Sequence, residues 1–141
     1  NIRCAERKEL VFGYRTSSFS TDQIIIEALF ELREMPLSDL RERIKDLFME
    51  KLRSQPLDRK TLGCIFKNPA KSGYKSAELI DMAGMKGTRH GGAVISQKHA
   101  NFIVNSGNAT SGDVKALIRE IQDRVRTDFS VDLVPEIEII E

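Results

Sequence analysis

The run from Thr110 to Phe129 constrains the fold more than any other stretch. Thr110-Ser111-Gly112-Asp113 reads as a capping box, a hydroxyl at the N-cap answered by a carboxylate three residues later. Behind it Val114, Leu117, Ile118, Ile121, Val125 and Phe129 recur at three- and four-residue steps, which predicts a long helix with one apolar face. Such a face has to be buried against another layer. NFIVN at 101–105 reads as a buried strand and GCIF at 63–66 as a short one. VDLVPEIEIIE at 131–141 reads as a last strand, with Ile137 and Ile139 on one side and Glu136 and Glu138 on the other. The order of elements predicts an α+β fold, a mixed sheet packed against helices.

A first long helix is expected from Pro36. Ser38 is its candidate N-cap, Leu40, Ile44, Leu47, Phe48 and Leu52 form its stripe, and it must end before Pro56. Upstream, residues 10–13 are a candidate strand. The segment at 23–34, QIIIEALFELRE, combines a strand-favouring triple Ile with a helix-favouring EALFEL. The turn-forming loop TSSFST just before it, at 16–21, tips the expectation to strand. PLDRKTL at 56–62 is a polar connector and marks a domain boundary. NPAKSGYK is then a loop, Ser76 to Ala83 a short helix stopped by a left-handed Gly84, and MKGTRHGGA a glycine-rich loop.

Charge and cysteine usage narrow the function classes. With 22 basic and 21 acidic residues in 141 the net charge is +1, and no basic stripe suits a dedicated nucleic-acid binder. No run approaches the roughly 18 apolar residues of a membrane span, and the longest, Ile24 to Phe30, is broken by Glu27. The opening NIRCAERKEL has no signal-peptide hydrophobic segment. Cys4 and Cys64 form no C-x-x-C, and with His90 and His99 they give no metal-ligand spacing. Reduced thiols, no metal and a cytoplasmic protein are expected. The chain opens in mid-pattern, as a piece of a longer protein would.

Several side chains could carry chemistry, and each has a plain structural reading beside the functional one. Cys64 after Gly63 is either a small buried residue or a thiol donor at a strand start, where glycine lets a ligand approach the backbone. Asn68-Pro69 is a turn or a ligand contact. Glu136 behind Pro135 is a solvated carboxylate unless its strand edge lines a cleft. Arg15 either rests on Tyr14 or grips a carboxylate or phosphate. His99 leads into a buried strand, as a structural histidine would. KGTRHGG invites a phosphate-cradle reading but fits neither G-x-G-x-x-G nor the P-loop.

In order along the chain, FGYRTS, RSQPL, GCIFKNP, AELIDMAGMKG, GGAVISQKHANFIVN, TSGDV and LVPEIEII form a series. It closely resembles the C-terminal half of the UDP-N-acetylenolpyruvoylglucosamine reductase (MurB) family over nearly the whole chain. The resemblance implies a flavoenzyme of peptidoglycan synthesis: NADPH reduces FAD, and the flavin delivers hydride to the double bond of UDP-N-acetylglucosamine enolpyruvate. It implies that residues 1–55 are the closing part of an FAD-binding region and 56–141 the substrate-binding domain. The main N-terminal FAD-binding domain is then missing, FAD contacts cannot be named, and the isolated chain is expected to be inactive.

Carried over position by position, the resemblance makes Cys64, Glu136 and Arg15 catalytic. Tyr14, Asn68, Lys67, Arg53, His99 and Ser96 become substrate-side residues. Three positions depart from the family's pattern. Cys64 stands where the family usually has a serine proton donor, Ser54 where a lysine is expected in the helix end RSQP, and Glu138 where an arginine is frequent. A thiol, with a reference pKa of about 8.5, can give a proton to carbon. The alternative reading is a non-catalytic UDP-sugar-binding or interaction domain derived from that family.

Overall fold

The computed structural model describes residues 2–140 and falls into two compact units that divide between Met35 and Pro36. In the first unit a single 3-10 turn, Arg7–Glu9, precedes a small hairpin of β1 (Phe12–Gly13) and β2 (Thr16–Ser17). Its corner is Tyr14-Arg15, with Arg15 at φ +56°. The Arg7 guanidinium lies 4.8 Å from the Phe12 ring centre, and Phe19 meets the same ring edge-on at 6.5 Å. Part of the expected loop at 16–21 is therefore strand β2.

The strand expected at 23–34 does not form. No described residue pairs with it in a ladder, and Ile24, Ile26, Leu29, Phe30 and Leu32 are exposed. A strand is stable only when a neighbour takes up its backbone groups, so the triple Ile has nothing to act on here.

The second unit begins with α1 (Leu37–Ser54). Its cap lies two residues before the N-cap expected at Ser38: Pro36 holds the cap position, and Ser38 Oγ bonds the Asp39 carboxylate instead. The helix ends before Pro56 as expected, but its stripe of Leu40, Ile44, Leu47 and Phe48 is exposed. Its C-terminal end is tied down by Lys98, whose Nζ donates to the Leu52 carbonyl at 2.8 Å.

A four-stranded sheet follows, with β3 (Thr61–Cys64), β4 (Arg89–His90), β5 (Ala93–Ile95) and β6 (Phe102–Asn105) in the order β3-β6-β5-β4. Every pairing in it is antiparallel. The glycine-rich loop is thus partly a hairpin, Arg89-His90 folding back on Ala93-Val94 around Gly91-Gly92. Between β3 and β4 lies α2 (Ser76–Met82), stopped by Gly84 at φ +71°. The long α3 (Ser111–Phe129) closes the unit, and its capping box is present as read: Asp113 N donates to Thr110 Oγ1 at 3.1 Å, and Thr110 N to the Asp113 carboxylate at 2.9 Å.

The α+β fold follows from how these layers bury apolar surface. α3 packs against α2, β4 and β5. Leu117, Ile118, Ile121 and Val125 meet Leu79 and Ile80 of α2, and Ala93, Ile95 and Ile103 of the sheet, in one cluster. Each such Leu or Ile contributes roughly 1.5–3 kcal/mol. The register Ile95↔Ile103 puts both on the helix side, whereas Val94↔Val104 face the opposite way.

The last strand expected, at 131–141, is reduced to one antiparallel bridge between Pro135 and Phe66. Lys67 N donates to the Val134 carbonyl at 2.9 Å and Glu136 N to the Ile65 carbonyl at 2.7 Å. The bonds thus run through the neighbours of the facing pair, the one arrangement in which Pro135 loses nothing by having no N–H. Beyond Glu136 the described residues leave the ladder.

Candidate functional site

The segment from Gly63 to Pro69 is the best-fixed part of the second unit that carries chemistry-bearing side chains. Four residues of β3, Thr61 to Cys64, span what three residues cover on β6, from Val104 to Phe102, so β3 carries a bulge. Gly63 sits in it at φ +84°. A Cβ there would meet nothing within 4 Å, so the backbone turn, rather than crowding, demands glycine. Cys64 ends the strand rather than starting it, and is half-buried; Cys4 is exposed.

Past Cys64 the chain is held from both sides. Ile65 and Phe66 are buried, 0% and 1% exposed. One flank is the 134–136 segment. The other is Asn101: its carbonyl accepts the Ile65 N–H at 2.9 Å, its Oδ1 accepts the Phe66 N–H at 2.9 Å, and its Nδ2 donates to the Phe66 carbonyl at 2.8 Å.

Lys67 and Asn68 then turn onto α2. The buried Ser76 donates its Oγ to the Lys67 carbonyl at 2.6 Å, and its N–H bonds Asn68 Oδ1 at 3.1 Å. The Glu78 carboxylate takes the Lys75 N–H at 2.6 Å. Side chains thereby satisfy two of the amides at the start of this short helix. Lys67 is half-buried and Asn68 exposed.

The remaining substrate-side candidates of this unit converge on the turn before β6. Ser96 Oγ accepts the N–H groups of Lys98 and His99 at 3.1 and 3.3 Å. His99 lies edge-on to Phe102, ring centres 4.7 Å apart, and its Nδ1 accepts the Asn101 N–H at 3.3 Å. Partial burial, with the nearby charge of Lys86 as a lesser cause, holds its pKa below the ordinary histidine value. Lys98 of the same turn reaches Leu52, so Arg53 at the exposed end of α1 is adjacent to it in the chain.

Cys64, Lys67, Asn68 and Glu136 are therefore brought onto one paired stretch of backbone. Ser96 and His99 join it through Asn101, and Arg53 connects through the Lys98 contact. Tyr14 and Arg15 belong to the first unit, where the Arg15 guanidinium lies 5.8 Å from the Tyr14 ring centre.

The glycine turn is no phosphate cradle. Its anion is the chain's own Asp113, whose carboxylate accepts the Gly92 N–H at 3.3 Å as well as that of Thr110. These bonds hold its pKa below the usual carboxylate value. A Cβ on Gly91 would strike that carboxylate, and one on Gly92 would strike the Gly107 carbonyl and the Ala109 amide. A cleft of about 410 Å3 lies elsewhere, lined among others by Lys60, Leu62, Thr110, Val114, Ile118 and Ile139, and none of the predicted site residues lines it. Among the described residues no cluster of three His, Cys, Asp or Glu could hold a metal, and no helix is long and apolar enough to cross a membrane.

Sequence reasoning passed over Asn101 and Ser76. The available signal was a polar residue heading the apolar run FIVN and a serine at the first position of a helix.

Residues 55–140 match the family model described as UDP-N-acetylenolpyruvoylglucosamine reductase, C-terminal domain. The chain is 46% identical over 134 residues to the UDP-N-acetylenolpyruvoylglucosamine reductase of Chlamydia abortus, which covers 94% of this chain and 44% of that protein. It is 43% identical to that of Exiguobacterium sibiricum, again over 134 residues, with 94% and 43% covered. The crystal structure of the Thermus caldophilus enzyme superimposes with a TM-score of 0.76 at 39% identity, over 93% of this chain and 46% of that one. The chain thus spans less than half the length of these relatives.

Proposed function

The chain belongs to the UDP-N-acetylenolpyruvoylglucosamine reductase family, and on that premise we propose that it is the substrate side of a reductase acting in peptidoglycan synthesis. Its substrate is UDP-N-acetylglucosamine enolpyruvate, and its product is the saturated lactyl ether, made in the cytoplasm. Residues 56–141 bind the sugar nucleotide, and residues 1–55 complete an FAD-binding region. FAD, when bound, would supply the hydride chemistry, drawing on NADPH. Because Asp113 fills the glycine turn, the FAD pyrophosphate is assigned to no residue of this chain. The uncovered half of the relatives' length is where its site is proposed.

The chemistry defines what this chain's residues have to do. Hydride addition to an enol ether bearing a carboxylate places negative charge on that carboxylate, and the neighbouring carbon must take up a proton. Cys64 supplies the proton from its S–H, and solvent restores it. Arg15 acts at the carboxylate, since a guanidinium is suited to gripping it through paired hydrogen bonds. Glu136 can assist there only as a carboxylic acid donating its O–H, because an ionised carboxylate would repel the developing charge. Tyr14, Lys67, Asn68, Arg53, His99 and Ser96 line the sugar nucleotide.

One observation supports this reading most: the Cys64 strand and the Glu136 segment are hydrogen-bonded to each other, although 72 positions separate the two residues in sequence (136 − 64). The test uses the intact protein. NADPH should be consumed only when the enolpyruvyl sugar is present, with the product heavier by one H2. Saturable sugar binding without NADPH consumption would leave a binding domain and remove the reductase.

A further inference from the structure

Phe66 faces Pro135 in a pair whose hydrogen bonds run through the flanking residues. In that arrangement the N–H and C=O of Phe66 itself point away from Pro135, toward the β6 side. The backbone of β6 does not meet them. Its last paired residue there is Phe102, opposite Cys64, and the Asn101 carbonyl is already taken by the Ile65 N–H. The Asn101 carboxamide closes the gap, accepting from Phe66 N at 2.9 Å and donating to Phe66 O at 2.8 Å.

Asn101 is 4% exposed and Phe66 1%. Burying an amide is costly unless its polar atoms are bonded, and here both ends are used on one backbone residue. A leucine of similar size would fill the space but strand two buried main-chain groups. The clamp sits two residues from Cys64 and one from Lys67, and Ser76 holds the far side of that turn through the Lys67 carbonyl. Its own N–H rests on His99.

We infer that Asn101 is a positioning residue: by bonding both polar groups of Phe66 it sets where Cys64, Lys67 and Asn68 stand relative to the substrate. The inference rests on the reductase reading, which gives those three residues their roles.

The test compares Asn101→Asp with the unsubstituted intact protein. The change keeps shape and the acceptor for Phe66 N–H, but faces the Phe66 carbonyl with a second acceptor. Sugar-dependent NADPH oxidation should fall about 10- to 100-fold in kcat, the usual cost of a displaced reacting group. The single, stoichiometric bleaching of bound FAD by NADPH without sugar should keep its rate. Alkylation of Cys64 by iodoacetamide, read by peptide mass spectrometry, should change rate at least about threefold as the strand is released.

An Ile121→Val core variant, matched in thermal stability, should show none of these changes. Should Asn101→Asp fail to fold, Asn101→Gln keeps both polar groups one methylene out of place and carries the same comparison. Unchanged Cys64 alkylation and unchanged kcat in a folded variant overturn the inference, as would an equal effect from Ile121→Val. Altered alkylation in a protein that never consumes NADPH with the sugar would uphold the clamp and count against the reductase reading.

Discussion

The N–H of Glu136 donates to the carbonyl of Ile65 at 2.7 Å, fixing the segment behind Pro135 to the residue next to Cys64. Ile65 is in turn bonded through its own N–H to Asn101, so the proposed acid and Glu136 share one rigid main-chain unit. Moving either segment would move the other. That coupling is what a reaction needing a proton donor and a second hydrogen-bonding group in fixed relation requires.

Cys64 should be the decisive side chain. In the intact protein Cys64→Ala should lower sugar-dependent NADPH oxidation by about 10²- to 10⁴-fold, the range of a general acid. Cys64→Ser, which keeps a donor at the same position, should retain turnover. Rates measured with saturating sugar and NADPH decide it, and wild-type turnover in Cys64→Ala rules the thiol out as the acid.

Two glycines should respond differently to the same substitution. Gly63 has open space around its missing Cβ but a φ of +84°, so Gly63→Ala should cost only the left-handed penalty of about 1–2 kcal/mol. Gly92→Ala drives a methyl into the Gly107 carbonyl and to 2.5 Å from the Ala109 amide. Backbone cannot rotate away as a side chain can, so a loss of about 3 kcal/mol is expected. Urea unfolding of the two variants should reproduce that order.

The capping carboxylate makes acid stability predictable. Asp113 accepts N–H groups from Thr110 and Gly92, and its pKa is lowered chiefly by these bonds. A carboxylate whose folded pKa is depressed stabilises fully above its unfolded value of about 3.9 and ceases to as pH falls through the folded one. Thermal midpoints should therefore drop below about pH 4 in the unsubstituted protein and drop less in Asp113→Asn. Parallel curves would show that the carboxylate is not coupled to folding.

How much of this was legible depends on how local the cause is. The Thr110–Asp113 box and the stripe from Val114 to Phe129 depend on residues within one helix, and both stand as read. Gly84 closes α2 for an equally local reason. The strand expected at 23–34 was unreadable because strand formation depends on a partner that the segment itself does not name. The 131–141 strand shrank to a single bridge, and the alternation of Ile and Glu there carries no information about where pairing stops. Cys64, Lys67, Asn68 and Glu136 came from a resemblance, but what fastens their segments together could not. Asn101 lies 35 positions from Phe66, and only folding reveals that a carboxamide continues the edge of β6.

His99 gives the last prediction, and its sign follows from one hydrogen bond. Its Nδ1 accepts the Asn101 N–H, so the ring must be neutral at that atom to keep the contact. Burial is the main reason its pKa lies below the ordinary value, and the Lys86 charge adds to it. Protonation would turn Nδ1 into a donor facing another donor, on the residue that holds Phe66. With a folded pKa below the unfolded value of about 6.5, stability should be intact above that pH and decline as pH falls through the lowered value. NMR titration of the His99 ring should give a midpoint below 6.5, and His99→Leu should flatten the stability curve between neutral pH and the onset of carboxylate protonation. A His99 midpoint at or above the ordinary value would mean that the ring is charged when Asn101 is in place, and the Nδ1 contact would then have to be given up.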